Sequence, residues 1–387
     1  MWIDLLEPVA DEVACPEREY SPGTLGKRLA IHTEANGLPD LKGMRIAFFS
    51  VGDDRGNPSN RGCRNAGTAF RQSFYPLYAG TWDLPMADLG HLPAGATPQD
   101  TGAALSGLCQ DLLQRNTIPY VLGGTQDLAY WMYRAYDALE QSVNLSVVDN
   151  RIALGSDESE LSADGFLGPV ISSKPYNLFN LSIMGLQAYF VAPDQWDLAE
   201  RMHFETYRLG MLRGHVHEIE PAVRDADLVI FNNRSIRHAD APGHADPSPN
   251  GLTADEACAL ARYCGLSDKV TAFGYFEYNP TLDPANQNAH LTAQIAWYFV
   301  EGVHLRRGDY PFTPKSQYLR FTVLLDNLEQ ELVFYKSPLS ERWWMEVPLR
   351  QTQYARHTLV PCSTSDYDAA LGGEIPERWW KAQRKGL

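Results

Sequence analysis

Cysteine is scarce in this chain: six in 387 residues, at 15, 63, 109, 258, 264 and 362, with no two in a C-x-x-C spacing. That argues against a zinc ribbon, and a disulfide framework is not expected in a chain this long. Met1-Trp2-Ile3-Asp4 lacks the basic region and long apolar stretch of a secretory signal. No apolar run approaches the roughly 18 residues of a membrane span. A cytoplasmic, reduced protein is therefore the expectation. Positive charge is also short, with 33 Lys and Arg against 48 Asp and Glu and a net charge of −15. A general binder of nucleic acid or anionic membrane needs the phosphate-neutralising surface that is missing here.

What remains is an ordinary globular composition, 44% hydrophobic and 21% charged, with no low-complexity tract. Short apolar runs alternate with helical stretches after an irregular segment, residues 1–43. Arg45–Val51, Ile118–Leu122, Leu145–Val148, Leu228–Phe231 and Val270–Phe276 read as strands, and Leu178–Met184 and Ala188–Val191 as extended. Helices are expected over Asp100–Arg115, Leu128–Gln141, Trp196–Arg213, Thr253–Tyr263 and His290–Val303. Thr253 with Glu256 three positions on forms a capping-box pattern. Repeated strand-then-helix units with apolar strands predict a parallel sheet covered on both faces over residues 44–311. From 312 to 387 the texture changes to a β-hairpin around Asp326-Asn327 and a Trp-rich tail.

In open α/β sheets, ligands bind at the carboxyl ends of strands. The loop "VLGGTQDLAY", residues 121–130, has that placement, and Gly123-Gly124 would let backbone approach a ligand. Yet Thr125, Gln126 and Asp127 follow, with no His, Cys or P-loop Lys. The other strand ends offer Asp149 with Arg151, Asn232 with Arg234, and Glu277.

With these residues in place, the sequence resembles the arginase/agmatinase/formimidoylglutamase superfamily, the ureohydrolases, from about residue 44 to 305. "RIAFFSVGDDRGNPSNRGCRNAGTAFRQSF" has the layout of its first strand and glycine-rich loop. "LGGTQD" stands for Gly-Gly-Asp-His-Ser, "VVDNRIA" for Asp-Ala-His-x-Asp and "IFNNR" for Phe-Asp-x-Asp. "NGLTADEA" echoes Gly-Gly-Leu-Thr, and "FGYFEYNPTLD" matches the closing Glu-x-Asn-Pro segment. The resemblance implies a three-layer α/β/α sandwich with a mainly parallel sheet, and commonly a trimer or hexamer. It also implies hydrolysis of guanidinium or formimino C–N bonds by two manganese ions held by two His and four Asp.

Position by position, the ligands have changed. Gln126 replaces the first His; Arg151 and Ala153 replace the two ligands that follow Asp149; Asn232 and Arg234 replace the last Asp pair. Only Asp149 survives, with Glu277 matching the carboxylate that grips a substrate's cationic end. Guanidinium groups have no lone pair to offer a metal and repel a dication by charge. The pocket Gln126, Asp149, Arg151, Ala153, Asn232, Arg234 and Glu277 is thus expected to hold no metal. Asp149 and Glu277 are its candidate catalytic carboxylates should any catalysis remain.

Three functions fit: a pseudoenzyme serving as a binding or interaction module, a formimidoylglutamase-like hydrolase with relocated metals or none, and a small-anion receptor. In the last, Arg151 and Arg234 with the Gln126 and Asn232 amides would bind carboxylate or phosphate; otherwise the two Arg pair with Asp149 and Glu277. Substitute metal ligands stand in "HADAPGHAD" (His238, Asp240, His244, Asp246) and "HVHE" (His215, His217), both better read as solvated loops. Cys63, in the glycine-rich loop, stands near Arg61 and Arg64, which could lower a thiol pKa, although a small loop residue is the better reading. Glu-Arg-Trp-Trp occurs twice, so Trp343, Trp344, Trp379 and Trp380 either cover an apolar face of the sheet or meet a partner.

Overall fold

The apolar runs become the buried strands of one sheet. A computed structural model describes residues 2–14, 20–155, 161–311, 314–325, 331–349 and 356–385. Nine strands are β1 (Ala30–Ile31), β2 (Ile46–Val51), β3 (Met86–Leu92), β4 (Ile118–Leu122), β5 (Val143–Val148), β6 (Leu178–Leu186), β7 (Glu205–Arg208), β8 (Leu228–Asn232) and β9 (Ala272–Phe276). Their order is β1-β3-β2-β4-β9-β8-β5-β6-β7, and every neighbouring pair is parallel. Side chains alternate across the sheet, so adjacent residues face opposite helical layers. Phe48 packs with Phe70, Phe74 and Tyr120 under helices Ala66–Phe74, Ala254–Leu266 and Gln287–His304. Phe49 faces the layer holding Leu105, Met132 and Val170. This is the expected α/β/α sandwich.

Helices Ala254–Leu266 and Gln287–His304 approach closely at two glycines. A Cβ at Gly265 would lie 2.1 Å from the Phe299 carbonyl oxygen, and one at Gly302 would lie 2.4 Å from that of Arg262. The predicted capping box is present, with the Glu256 amide donating to Thr253 Oγ1 at 3.4 Å and the Thr253 amide donating to Glu256 Oε2 at 3.0 Å.

Several boundaries differ from expectation. Segment 1–43, expected to be irregular, contributes β1 to the sheet edge. Trp196–Arg213 is not one helix: Pro193–Arg201 ends before His203, whose φ is +54°, and β7 then pairs with β6. Leu128–Gln141 stops as a helix at Arg134, and Ala188–Phe190 is a 3₁₀ turn rather than extended. Among the described residues, no helix is long and apolar enough to cross a membrane.

The C-terminal region is more than a hairpin. β10 (Leu319–Leu324), β11 (Glu331–Lys336), β12 (Trp343–Leu349) and β13 (Arg356–Cys362) form an antiparallel sheet in that order. Helices Thr364–Leu371 and Glu377–Lys385 follow. The predicted hairpin is β10–β11, and its turn at Asp326-Asn327 lies outside the described residues.

The tryptophans are mostly internal. Adjacent residues of β12 point to opposite faces: Trp343 stacks on Tyr367 at 4.7 Å, within the small sheet's own core, while Trp344 turns toward the large domain. There the Arg224 guanidinium lies 4.7 Å from the Trp344 ring centre and donates to the Trp343 and Cys362 carbonyls at 3.1 and 2.9 Å. Trp379 is also buried, and of these four only Trp380, at 41%, is exposed. Trp344→Ala is expected to lower stability by about 3–5 kcal/mol in urea unfolding, by emptying a buried site and stripping Arg224 of its ring. Trp380→Ala should change it by less than about 0.5 kcal/mol.

Candidate functional site

Parallel register sets the strand ends at one level. Leu122 lies opposite Tyr275, Val148 opposite Phe231 and Asn232 opposite Phe276, so the residues after them converge over β9. The chain turns at Gly123 and Gly124, whose φ angles are +83° and +73°. This brings the Gln126 amide to Glu277 Oε1 at 3.0 Å. Gln126, Asp149, Asn232 and Glu277 are each 0% exposed.

Glu277 anchors one side. Its Oε2 accepts from the Asn57 and Asn60 amides at 2.9 and 2.8 Å, and His244 Nε2 lies 3.6 Å away. The Asp246 backbone N–H donates to His244 Nδ1 at 2.9 Å, so a neutral His244 carries its proton on Nε2, facing Glu277. Burial alone would raise the Glu277 pKa; His244, Asn60 and the Arg234 charge outweigh it and hold the carboxyl below its ordinary value. Its φ of +69° is a left-handed conformation that costs a non-glycine residue about 1 kcal/mol or more.

Arg234 anchors the other side. Nε and Nη2 donate to Asp149 Oδ1 and Oδ2 at 2.8 and 2.9 Å, a two-pronged pair, and Nη1 donates to Asp164. Burial would lower the Arg234 pKa, but the two carboxylates raise it above its ordinary value. The Asn232 amide donates to Gln126 Oε1 and, at 3.4 Å, to Asp149 Oδ2, linking the three strand ends. Gln126 Nε2 has no partner among the described residues. Ala153 is buried nearby, and its carbonyl accepts from the Leu167 amide at 3.0 Å.

Arg151 does not join this network through Asp149 or Glu277. It turns outward to Asp246 at 2.5 Å and lies over the Phe190 ring at 5.2 Å. The loop His238–Asp246 is thus not wholly solvated as expected: Asp246 meets Arg151, His244 is buried against Glu277, and Asp240 is held by Arg237 and the Ala254 amide. Among the described residues, no three His, Cys, Asp or Glu side chains group as metal ligands. His215 and His217 are not extended: Val216–Ile219 is a 3₁₀ turn, and their rings lie 6.0 Å apart. For Cys63 the activated-thiol alternative is opposed, and a buried loop residue remains. Burial pushes its thiol pKa up, while Arg61 and Arg64 both bind Asp54, whose pKa they pull down to about 2 against its burial.

Asn57, Asn60 and Asp164 were missed as members of the site, because nothing local marks a partner more than 200 residues away or across a loop. Asp127 was read only as part of the loop. It is buried, its Oδ1 has no partner among the described residues, and a Cβ at Gly56 would lie 1.8 Å from that atom. Burial pushes its pKa up to about 7, with Glu277 and Asp53 adding negative charge nearby.

The profile of the arginase family matches residues 44–301. A formimidoylglutamase of Staphylococcus aureus is 25% identical over 283 residues, covering 69% of this chain and 88% of its own. Bacillus subtilis formimidoylglutamase aligns with a TM-score of 0.63 at 18% identity, over 69% of this chain and 90% of its own. Trypanosoma cruzi formiminoglutamase, solved with manganese, aligns at 0.62 and 18%, over 68% and 95%. At such identities these structures speak for the fold.

Removing the cation from a buried pair is strongly destabilising, so Arg234→Met should cost about 3–5 kcal/mol in urea unfolding. Arg234→Lys should recover only part, because ammonium cannot fork onto both Asp149 oxygens. Asp127 gives a pH test. Its native pKa lies above the roughly 4 of an unfolded carboxyl, so the native state holds a proton that the unfolded chain has released. Its contribution to stability therefore falls as pH rises from about 4 to about 7. Relative to the parent chain, Asp127→Asn should gain stability across that window and level off above it. A gain independent of pH would contradict this assignment.

Proposed function

The chain belongs to the arginase family, and from that premise we propose that it is a non-hydrolytic member, a binding or interaction module whose strand-end site is closed by internal ion pairing. The observation that carries this reading is the Arg234–Asp149 pair, fully buried, with Asp164 on the third guanidinium nitrogen.

The donor set does not fit a pair of manganese ions. Both Asp149 oxygens are held by a guanidinium, which stays protonated and offers no lone pair. Gln126 Oε1 accepts from Asn232, and Asn232 Oδ1 accepts from the Arg234 backbone N–H at 2.9 Å. Glu277 spends its oxygens on two side-chain amides and one backbone amide. A dication entering here would meet the Arg234 charge in a low-dielectric interior, where repulsion is strong. No hydrolytic step is therefore derived for this chain.

The anion-receptor reading loses its donors, since Arg234 is committed to Asp149 and Asp164 and Arg151 to Asp246. The formimidoylglutamase-like reading keeps Glu277 and the family likeness, without a constellation that would activate water. Self-association into a homo-oligomer is proposed by analogy with the family, and the C-terminal unit is the proposed place of contact with other proteins.

Protein dialysed with manganese and then desalted should hold well under one ion per chain by elemental mass spectrometry. It should also release no formamide or urea from formiminoglutamate, arginine or agmatine, with the Staphylococcus aureus enzyme treated in parallel as control. Stoichiometric manganese, or turnover lost in Glu277→Gln, would return the hydrolase reading to the front.

A further inference from the structure

A cleft of about 800 Å³ separates the two units, at the end of the large sheet opposite the strand-end site. Its floor includes Asn144, near the start of β5, and Phe179 and Asn180, near the start of β6. Two sheet edges meet across it. β7 is the last strand of the nine-stranded sheet and β13 the last of the four-stranded one.

Successive residues of both strands line the cleft: Glu205, Thr206 and Tyr207 from β7, and residues 358–361 from β13. A strand that offers one face to a cavity presents every second residue. Consecutive residues mean that the strand edges, with their backbone N–H and C=O groups, border the space. Exposed edges are templates for pairing with another chain, and proteins ordinarily blunt them. Among the described residues, β7 is blunted by its four-residue length and by Glu205 and Arg208, and one end of β13 by Pro361, which has no N–H, and by Arg224 on the Cys362 carbonyl, whereas Thr358, Leu359 and Val360 carry neither charge nor proline.

The lining charge selects the occupant. Glu205, Glu218, Asp225, Asp366 and Glu377 face the cleft against Lys269, Arg378 and Lys381. Each cation already has a carboxylate of this set: Lys269 with Asp225 at 3.1 Å, Arg378 with Asp366 at 3.4 Å, and Lys381 with Glu377 at 2.9 Å. The excess of carboxylates, on a chain of net charge −15, favours a basic partner. Between the charges lie Ile219, Pro221, Leu359 and Val360, apolar surface for alternate side chains.

We propose that this cleft binds an extended basic segment of another protein by strand addition along the β13 edge, with β7 as the opposite wall. The inference deepens, and rests on, the reading of the chain as an interaction module. In strand addition, main-chain hydrogen bonds supply affinity, and pockets for alternate side chains supply selectivity.

The test uses the full chain and a fluorescein-labelled hexapeptide of alternating lysine and valine, followed by anisotropy. Controls are its glutamate–valine twin and two N-methylated versions, one blocked at the lysines and one at the valines. Saturable binding is expected, lost in the acidic twin and in at least one N-methylated version. Glu218→Lys should weaken it about tenfold, whereas Glu34→Lys, the same charge change at an exposed position in the N-terminal segment, should leave it within about twofold.

Undiminished binding of both N-methylated peptides would overturn strand addition in favour of a cleft for small cations. Equal binding of the acidic twin, absence of saturable binding, or indifference to Glu218→Lys would overturn it too. So would sedimentation showing a dimer that Glu218→Lys dissolves, since a second copy would then be the occupant. The peptide assay needs neither metal nor turnover, so it can fail while the non-hydrolytic reading stands, and the manganese measurement can fail while peptide binding stands.

Discussion

A carboxylate at a buried strand end needs a cation, and the choice of cation shapes everything around it. Asp149 follows β5 with no exposed surface. An unpaired charge there would be prohibitive, and the neighbouring strand answers with Arg234. A guanidinium brings a fixed fork and a third direction, so the same side chain also reaches Asp164 in the loop before helix Leu167–Ser172. Arg151, the second cation, turns away to Asp246 rather than crowding a space already neutralised. The loops after β5 and β8 are thus tied together by side chains belonging to the chain itself.

Glu277 shows the same economy without an Arg or Lys partner among the described residues, its nearest ionisable neighbour being His244 at 3.6 Å. It collects the Asn57, Asn60 and Gln126 amides, so the glycine-rich loop after β2 and the loop after β4 both close on one carboxylate. Three donors over-determine its position, which is how a left-handed φ survives at a residue with a Cβ. Asp127 is buried beside it with less support, and it responds by holding its proton toward neutral pH.

The central strands and the strand-end residues were legible because buried parallel strands are apolar throughout and polar residues stand out where they end. Neither β3, an interior strand whose apolar run is broken by Asp88 and His91, nor the edge strands were. β1 is two residues long, and β7, Glu-Thr-Tyr-Arg, sits inside an amphipathic stretch whose periodicity suits a helix equally well. Pairing with β6 decided it, a tertiary effect no local pattern encodes. Which charged groups meet was legible for Asp149 and Arg234, whose strands are neighbours. It was not legible for Arg151, because a long side chain at a strand end has several carboxylates within reach. Glu-Arg-Trp-Trp makes the same case: its first copy is half strand β12 and its second opens helix Glu377–Lys385. Four residues do not carry a structure; what they pack against does.

The two ends of the large sheet have opposite characters. At the carboxyl ends, the loops after β2, β4, β5, β8 and β9 are cross-linked by ion pairs and hydrogen bonds, and Gln126, Asp149, Asn232 and Glu277 are sealed from water. At the amino ends, the C-terminal unit is fastened through Arg224, whose guanidinium spans from the Trp344 ring to two β-sheet carbonyls. That fastening lies beside the cleft and leaves two sheet edges bordering it. Had the unit served only to cover the sheet, its cheapest packing would hide those edges, since an uncovered edge invites unwanted pairing. Two edges bordering one cleft are instead what a receptor for an extended chain requires, because walls already in place spare the entropy of forming them on binding. The closed site and the open cleft are then complementary: the first stiffens the scaffold, and the second uses the stiffness.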